Sequence, residues 1–206
     1  MKTIEIIGYE RANLGKTDSK KLRADGNVPC VLYGGKEQIH FHSPAILFRE
    51  LVYTDEAHFV HLNIEGKEFK AILQDIQFHP VSEIILHADF LELFDDKVLK
   101  MKVPVHFHGV SPGVVNGGTL IKKRRHLMVQ ALPENMPDFI NVDISTLNFH
   151  SAIKVGEIAT ANFTIMDSPI ASVAVVEIPR ALRGKTDGVS EVEEGDEAPS
   201  EESSEE

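Results

Sequence analysis

The 206 residues are expected to fold as two mainly β domains followed by an acidic tail, and three observations carry that expectation. Short runs in which apolar and polar residues alternate, the period of a half-buried strand, recur from Thr3 to about Pro179. A charged break at Asp95, Asp96 and Lys97 interrupts them near the middle. From Asp187 onward ten acids stand among Ser and Gly without a Lys or Arg. Such a segment cannot bury enough apolar surface to offset its ordering entropy, so it is expected to be disordered. The expected domains are therefore 1–95 and 96–182, with the tail at 183–206.

The first strand places Ile4 and Ile6 against Thr3 and Glu5. "VPCVLYG" and "QIHFH" follow, then "FVHLNIEGKEFKAILQDIQ", where Glu65-Gly66 reads as a hairpin turn, then "EIILHADFLEL". Two short helices interrupt these strands. The first runs over residues 17–25, with Thr17 as its cap and Gly26 as its stop. In "SPAILFRELVYT", Ser43 is expected as N-cap and Pro44 at the first helical position. After the break, "KVLKMKVPVHFHG", "TLIKKRRHLMVQAL", "FINVDI", "ANFTIM" and "ASVAVVEIP" read as a second set of strands. "GVSPGVVNGG", "LPENMP" and "DSP" supply turn chemistry between them, and the first of these is expected to be a mobile loop without a helix.

The formal net charge of −11 misleads, because removing the ten tail acids leaves 21 bases against 22 acids. Residues 11–36 hold six bases (Arg11, Lys16, Lys20, Lys21, Arg23, Lys36) and two acids, a local excess able to attract a polyanion. The tail, opposite in sign, is expected to compete for that basic surface. Cys30 stands alone, which excludes a disulfide or a Cys-based zinc site within one chain. Neither a secretory signal nor an apolar run of about 20 residues is present, so a cytoplasmic protein without a membrane partner is expected.

On a helix over 17–25, Lys16, Lys20 and Arg23 fall at i, i+4 and i+7 and share one face, while Leu22 points elsewhere to anchor the turn in the core. A cationic stripe of this kind matches a nucleic-acid backbone, and charge alone is equally consistent with a solvated helix face. "GKT" at residues 15–17 is no phosphate loop, because six residues rather than four separate Gly8 from Gly15.

Tyr33 precedes Gly34 and Gly35 at a strand end, where its ring can stack or its hydroxyl donate. In "ILHADF" the pleat puts His87 and Asp89 on one face and Leu86, Ala88 and Phe90 on the other. That pair is half of a catalytic triad without a nucleophile, since Cys30 reads as a small core residue; it equally offers a donor and an acceptor to RNA. His40/His42 and His106/His108 project in pairs but lack a convergent third metal ligand, and read as exposed strand histidines. An alternative assignment, a metal-binding or hydrolytic enzyme, would rest on His87, Asp89 and these pairs. "KKRRH", residues 122–126, would be split between two faces by strand alternation.

Taken in order, "RANLGKTDSKKLRADGNVPCVLYGG" and "DIQFHPVSEIILHADF" resemble the amino-terminal domain of bacterial large-subunit ribosomal protein twenty-five. "VPVHFHGVSPGVVNGGTL", "ALPENMPDFINVDIS" and the acidic tail resemble its long two-domain form, also called the general stress protein CTC type. The resemblance covers about residues 1 to 180. It implies a six-stranded β-barrel that binds 5S ribosomal RNA, a second mainly β domain, and a structural role supporting the central protuberance of the large subunit. It implies no catalysis, cofactor, metal or small-molecule substrate, and leaves the second domain to meet neighbouring ribosomal proteins. Carried over by motif, Arg11 and Arg23 would hold RNA phosphates with Lys16 and Lys20 in support, and Tyr33, His87 and Asp89 would complete the surface.

Overall fold

A computed structural model describes residues 1–179, so the 183–206 tail and the disorder expected of it lie outside the described residues. Six strands close a barrel: β1 (Lys2–Glu10), β2 (Asn27–Tyr33), β3 (Ile39–Pro44), β4 (His58–Ile64), β5 (Lys67–Phe78) and β6 (Ile85–Glu92). Their order around the barrel is β1-β3-β2-β6-β5-β4, with parallel pairs β1/β4 and β2/β6 and the other neighbours antiparallel. Alternation along each strand sends Ile6, Cys30, Leu32, Phe41, Leu62, Ala88 and Phe90 inward, all at most 1% exposed. The expected hairpin turn is present, with Glu65 at φ 49° and Gly66 at φ 87°, the doubly left-handed geometry that matches strand twist.

The second unit begins at β7 (Leu99–His108), which lies between β10 (Ile140–Asp143) and β9 (His126–Ala131); β12 (Thr164–Ile165) completes that sheet. A three-stranded sheet, β11 (Ala152–Lys154), β13 (Ser172–Glu177) and β8 (Thr119–Lys122), accompanies it. Val103, Leu127, Val129, Val173 and Val176 fill the core. One barrel residue belongs to this second core: Ile72, wholly buried, points outward from β5 while Ala71 faces the barrel interior. Phe59, Leu91 and Leu93 on the barrel pack beside it, so a single sheet wall serves both cores.

Three stretches depart from the expected structure. Ser43 is not an N-cap: it is fully buried in β3 and its Oγ donates to the Ile7 carbonyl at 2.7 Å, a cross-strand bond that outcompetes a cap. The segment after it forms a 3₁₀ turn, Ala45–Phe48, and a short helix α2 (Arg49–Val52). "GVSPGVVNGG" is not a mobile loop. It holds helix α3 (Pro112–Val115), capped by Ser111, whose buried Oγ also donates to the Leu147 carbonyl at 2.6 Å. "TLIKKRRHLMVQAL" is not one strand: β8 and β9 belong to different sheets, and residues 123–125 form the bend between them, so strand alternation does not govern the basic run.

Candidate nucleic-acid interface

Helix α1 (Lys16–Ala24) lies on the outside of the barrel against β2. Gly15 rather than Thr17 occupies the N-cap position and no side chain caps the helix; Ser19 Oγ instead donates to the Gly15 carbonyl at 2.8 Å. No residue of α1 is fully buried, so Leu22 rests half-buried on the surface instead of entering the core. Gly26 stops the helix at φ 78°, and the chain enters β2 directly after it.

Two arginines fix that helix. Arg23 Nε donates to the Leu86 carbonyl of β6 at 3.1 Å, and among the described residues its Nη groups make no hydrogen bond. Arg11, just after β1, has a side chain only 8% exposed. Its Nη2 donates to the Asn13 carbonyl, to Asp18 and to Ser19 at 3.1–3.3 Å, and its Nε is buried without a partner. Arg11 therefore clamps the loop and first turn of α1. Lys16, Lys20 and Lys21 remain exposed.

Strands β2 and β6 are paired in parallel, setting Val31 opposite Asp89 and Tyr33 opposite Leu91. On β6, His87 Nδ1 lies 2.5 Å from Asp89 Oδ1, both side chains about a third exposed. Because a carboxylate only accepts, this contact puts the proton on Nδ1 and leaves Nε2 to meet a partner. Partial burial, then the Asp89 and Asp75 carboxylates, hold the Tyr33 hydroxyl above its ordinary value, so at neutral pH it remains a donor. Sequence reasoning missed Asp75, which pairs across the ladder with Asp89, and missed Asp18 and Ser19 as partners of Arg11. Long-range pairing placed the first; a short loop placed the other two.

Both glycines after Tyr33 approach the end of β6. Gly34, at φ 100°, would bring a Cβ within 2.6 Å of Leu91 Cδ1, and a Cβ on Gly35 would strike the Glu92 carboxylate. They let the β2 end lie close against β6, which holds Tyr33 near Asp89.

Cys30 faces the barrel interior at 0% exposure, and burial pushes its thiol up, with Asp89 adding to the effect and Arg11 opposing it. A buried, protonated thiol is no nucleophile for the His87–Asp89 pair. His40 and His42 are half-buried rather than exposed, and His42, beside Tyr9 at 5.7 Å, has a buried Nδ1 without a partner. His106 and His108 are exposed on β7. Among the described residues no three His, Cys, Asp or Glu side chains converge as a metal site, and no helix is long and apolar enough to cross a membrane.

Two family models match this chain. The ribosomal L25p family covers residues 6–90, which is the barrel, and the C-terminal domain of ribosomal protein TL5 covers residues 98–180. Among curated proteins, the large ribosomal subunit protein bL25 of Amoebophilus asiaticus is 55% identical over 193 residues, 94% of this chain and 97% of its own. The protein of the same name from Cytophaga hutchinsonii is 54% identical over 183 residues, 89% of this chain and 95% of its own. That of Phocaeicola vulgatus is 41% identical over 191 residues, 89% and 96% respectively. With both models matched in order and relatives aligned over nearly their whole length, the chain belongs to the ribosomal L25p family, in the two-domain form that carries a TL5-type C-terminal domain.

Proposed function

We propose that this protein is a structural component of the large ribosomal subunit that binds 5S ribosomal RNA through the barrel face formed by α1, β2 and β6. The observation that carries the reading is the position of α1. Its exposed Lys16 and Lys20 share a stripe with Arg23, and Arg23 is tied by its Nε to the residue immediately before His87. Cations on a fixed helix neutralise successive phosphates and release their counterions, giving affinity that falls with salt. The free Nη fork of Arg23 suits a phosphate, and Lys16 and Lys20 act as mobile point charges beside it. Arg11 belongs to the same surface as the residue that positions α1.

Beside the cations, the Tyr33 hydroxyl donates, His87 offers Nε2 and Asp89 accepts. A-form RNA presents 2′-hydroxyls and base edges in a wide, shallow minor groove, where such groups meet partners without inserting a helix. Residues 1–95 form the RNA-binding domain in this reading and 96–182 the second domain, which faces the rest of the subunit. Membership of a ribosomal family removes the hydrolytic alternative, and the inward-facing Cys30 leaves His87 and Asp89 without a nucleophile.

The test is a gel-shift titration of the full chain against 5S ribosomal RNA and a size-matched control RNA at two salt concentrations. Preferential, salt-weakened binding to the 5S species, reduced in a Lys16→Ala, Lys20→Ala variant, supports the reading. Equal binding to both RNAs, or full affinity in that variant, overturns it.

A further inference from the structure

The second domain carries a cationic surface that the barrel reading leaves unused. Residues 123–125 bend between β8 and β9, and the backbone N–H groups of Lys123 and Arg124 both donate to the Val173 carbonyl, at 2.9 and 3.2 Å. The bend is thereby fixed to β13. Arg124 is occupied, its Nη1 at 2.5 Å from Asp167 Oδ1, while the other Asp167 oxygen accepts from the Met128 N–H at 2.8 Å. Lys122, Lys123 and Arg125 are exposed.

Beside the bend lies a groove of about 480 Å³ whose lining includes Lys122, Arg125, His106, His126 and Phe107, with Asp55 of the barrel side as its one acid. His106 stacks on Phe139 with ring centroids 4.6 Å apart and planes 12° from parallel, yet Phe139 keeps 44% of its surface exposed. Lys122 Nζ stands 5.2 Å from the Phe107 ring centroid, holding its charge over the groove wall. A solvated charged edge accounts for the cations but not for an aromatic stack whose His106 lines the same groove.

We propose that this groove binds a single-stranded stretch of RNA, with Lys122 and Arg125 on its phosphates and a base stacked against the His106–Phe139 pair. Unpaired RNA presents alternating charge and π-surface, and cations next to an exposed ring match both. An acidic protein segment would satisfy the cations alone. The site is separate from the barrel face and gives the second domain a contact to RNA of its own.

The experiment measures binding of the full chain to a fluorescent oligouridylate of about 16 nucleotides and, in parallel, to 5S ribosomal RNA. Lys122→Ala, Arg125→Ala is expected to weaken oligouridylate binding about tenfold or more and to lower the salt slope by roughly 0.7 for each cation lost. Phe139→Ala is expected to weaken it about five- to hundredfold with the slope unchanged, because a stack is lost and no charge. Arg125→Lys should keep the slope, and 5S binding should be unchanged in every variant. The proposal is overturned if the wild-type chain does not bind oligouridylate, or if the double variant binds it as wild type does. Parallel loss of 5S binding in the groove variants would also overturn it, since the two surfaces would not then be separate.

Discussion

Arg23 Nε donates to the Leu86 carbonyl at 3.1 Å, joining the cationic helix to the strand that carries His87 and Asp89 across 63 residues of chain. This separates two kinds of basic residue on one surface. Lys16→Ala and Lys20→Ala should each reduce the salt slope of 5S binding by about one and leave thermal stability unchanged. Arg23→Ala should lower both affinity and stability, because a bond to the barrel is lost with the charge. Gel shifts at several salt concentrations, paired with melting curves, distinguish the two patterns.

Arg11 is expected to behave as a clamp. Arg11→Ala should destabilise the protein by about 1 to 3 kcal/mol, since Asp18 and Ser19 lose a partly buried, charge-assisted partner. Arg11→Lys should not restore it, because all three bonds leave from Nη2 and a lysine ammonium stops one bond short of that position. Urea denaturation reports the loss. Unchanged stability in Arg11→Ala, with weakened RNA binding, would show instead that the guanidinium serves the RNA directly.

The paired glycines should respond unequally. Gly34→Ala combines a left-handed backbone at φ 100° with a clash on Leu91 and should cost about 1 to 3 kcal/mol while disturbing RNA binding through Tyr33. Gly35→Ala meets only the end of the flexible Glu92 side chain and should be nearly neutral. Denaturation midpoints of the two variants provide the comparison.

Cys30 makes stability sensitive to alkali. Its thiol is raised above the ordinary 9.0 by burial, so above that pH the unfolded chain releases a proton that the folded chain keeps. The contribution is complete below the ordinary value and declines as pH rises toward the folded one, by up to about 1.4 kcal/mol per pH unit. Wild type should therefore lose stability against Cys30→Ala from about pH 9 upward. Tyr33 titrates in the same direction but cancels in the comparison, and parallel curves would refute the buried-thiol account.

The barrel strands were legible because alternation is a local signal: Ile4/Ile6 on β1 and Ala88/Phe90 on β6 declare their faces without reference to any partner. Gly26 was legible as a stop, since only its backbone freedom is at stake. Ser43 was not. Proline following serine signals a helix start, but Ile7 lies 36 residues away and its carbonyl claims the hydroxyl. The bend at Lys123–Arg125 escaped for the same reason, being imposed by Val173 on a distant strand. Of the candidate interface, the sequence showed which residues carry charge; the division into the clamp Arg11 and the free lysines needed burial, which depends on the closed barrel.

Ile72 faces away from the barrel that its own strand helps to close. A version of this barrel that lived alone would present Phe59, Ile72, Leu91 and Leu93 to water as a sticky patch. Those four positions are thus a signature of companionship: polar residues there should mark solitary barrels, and apolar ones barrels that travel with a second domain. The signature makes the two-domain form hard to shorten by simple truncation, because losing the partner would also require rewriting the wall it leaned on.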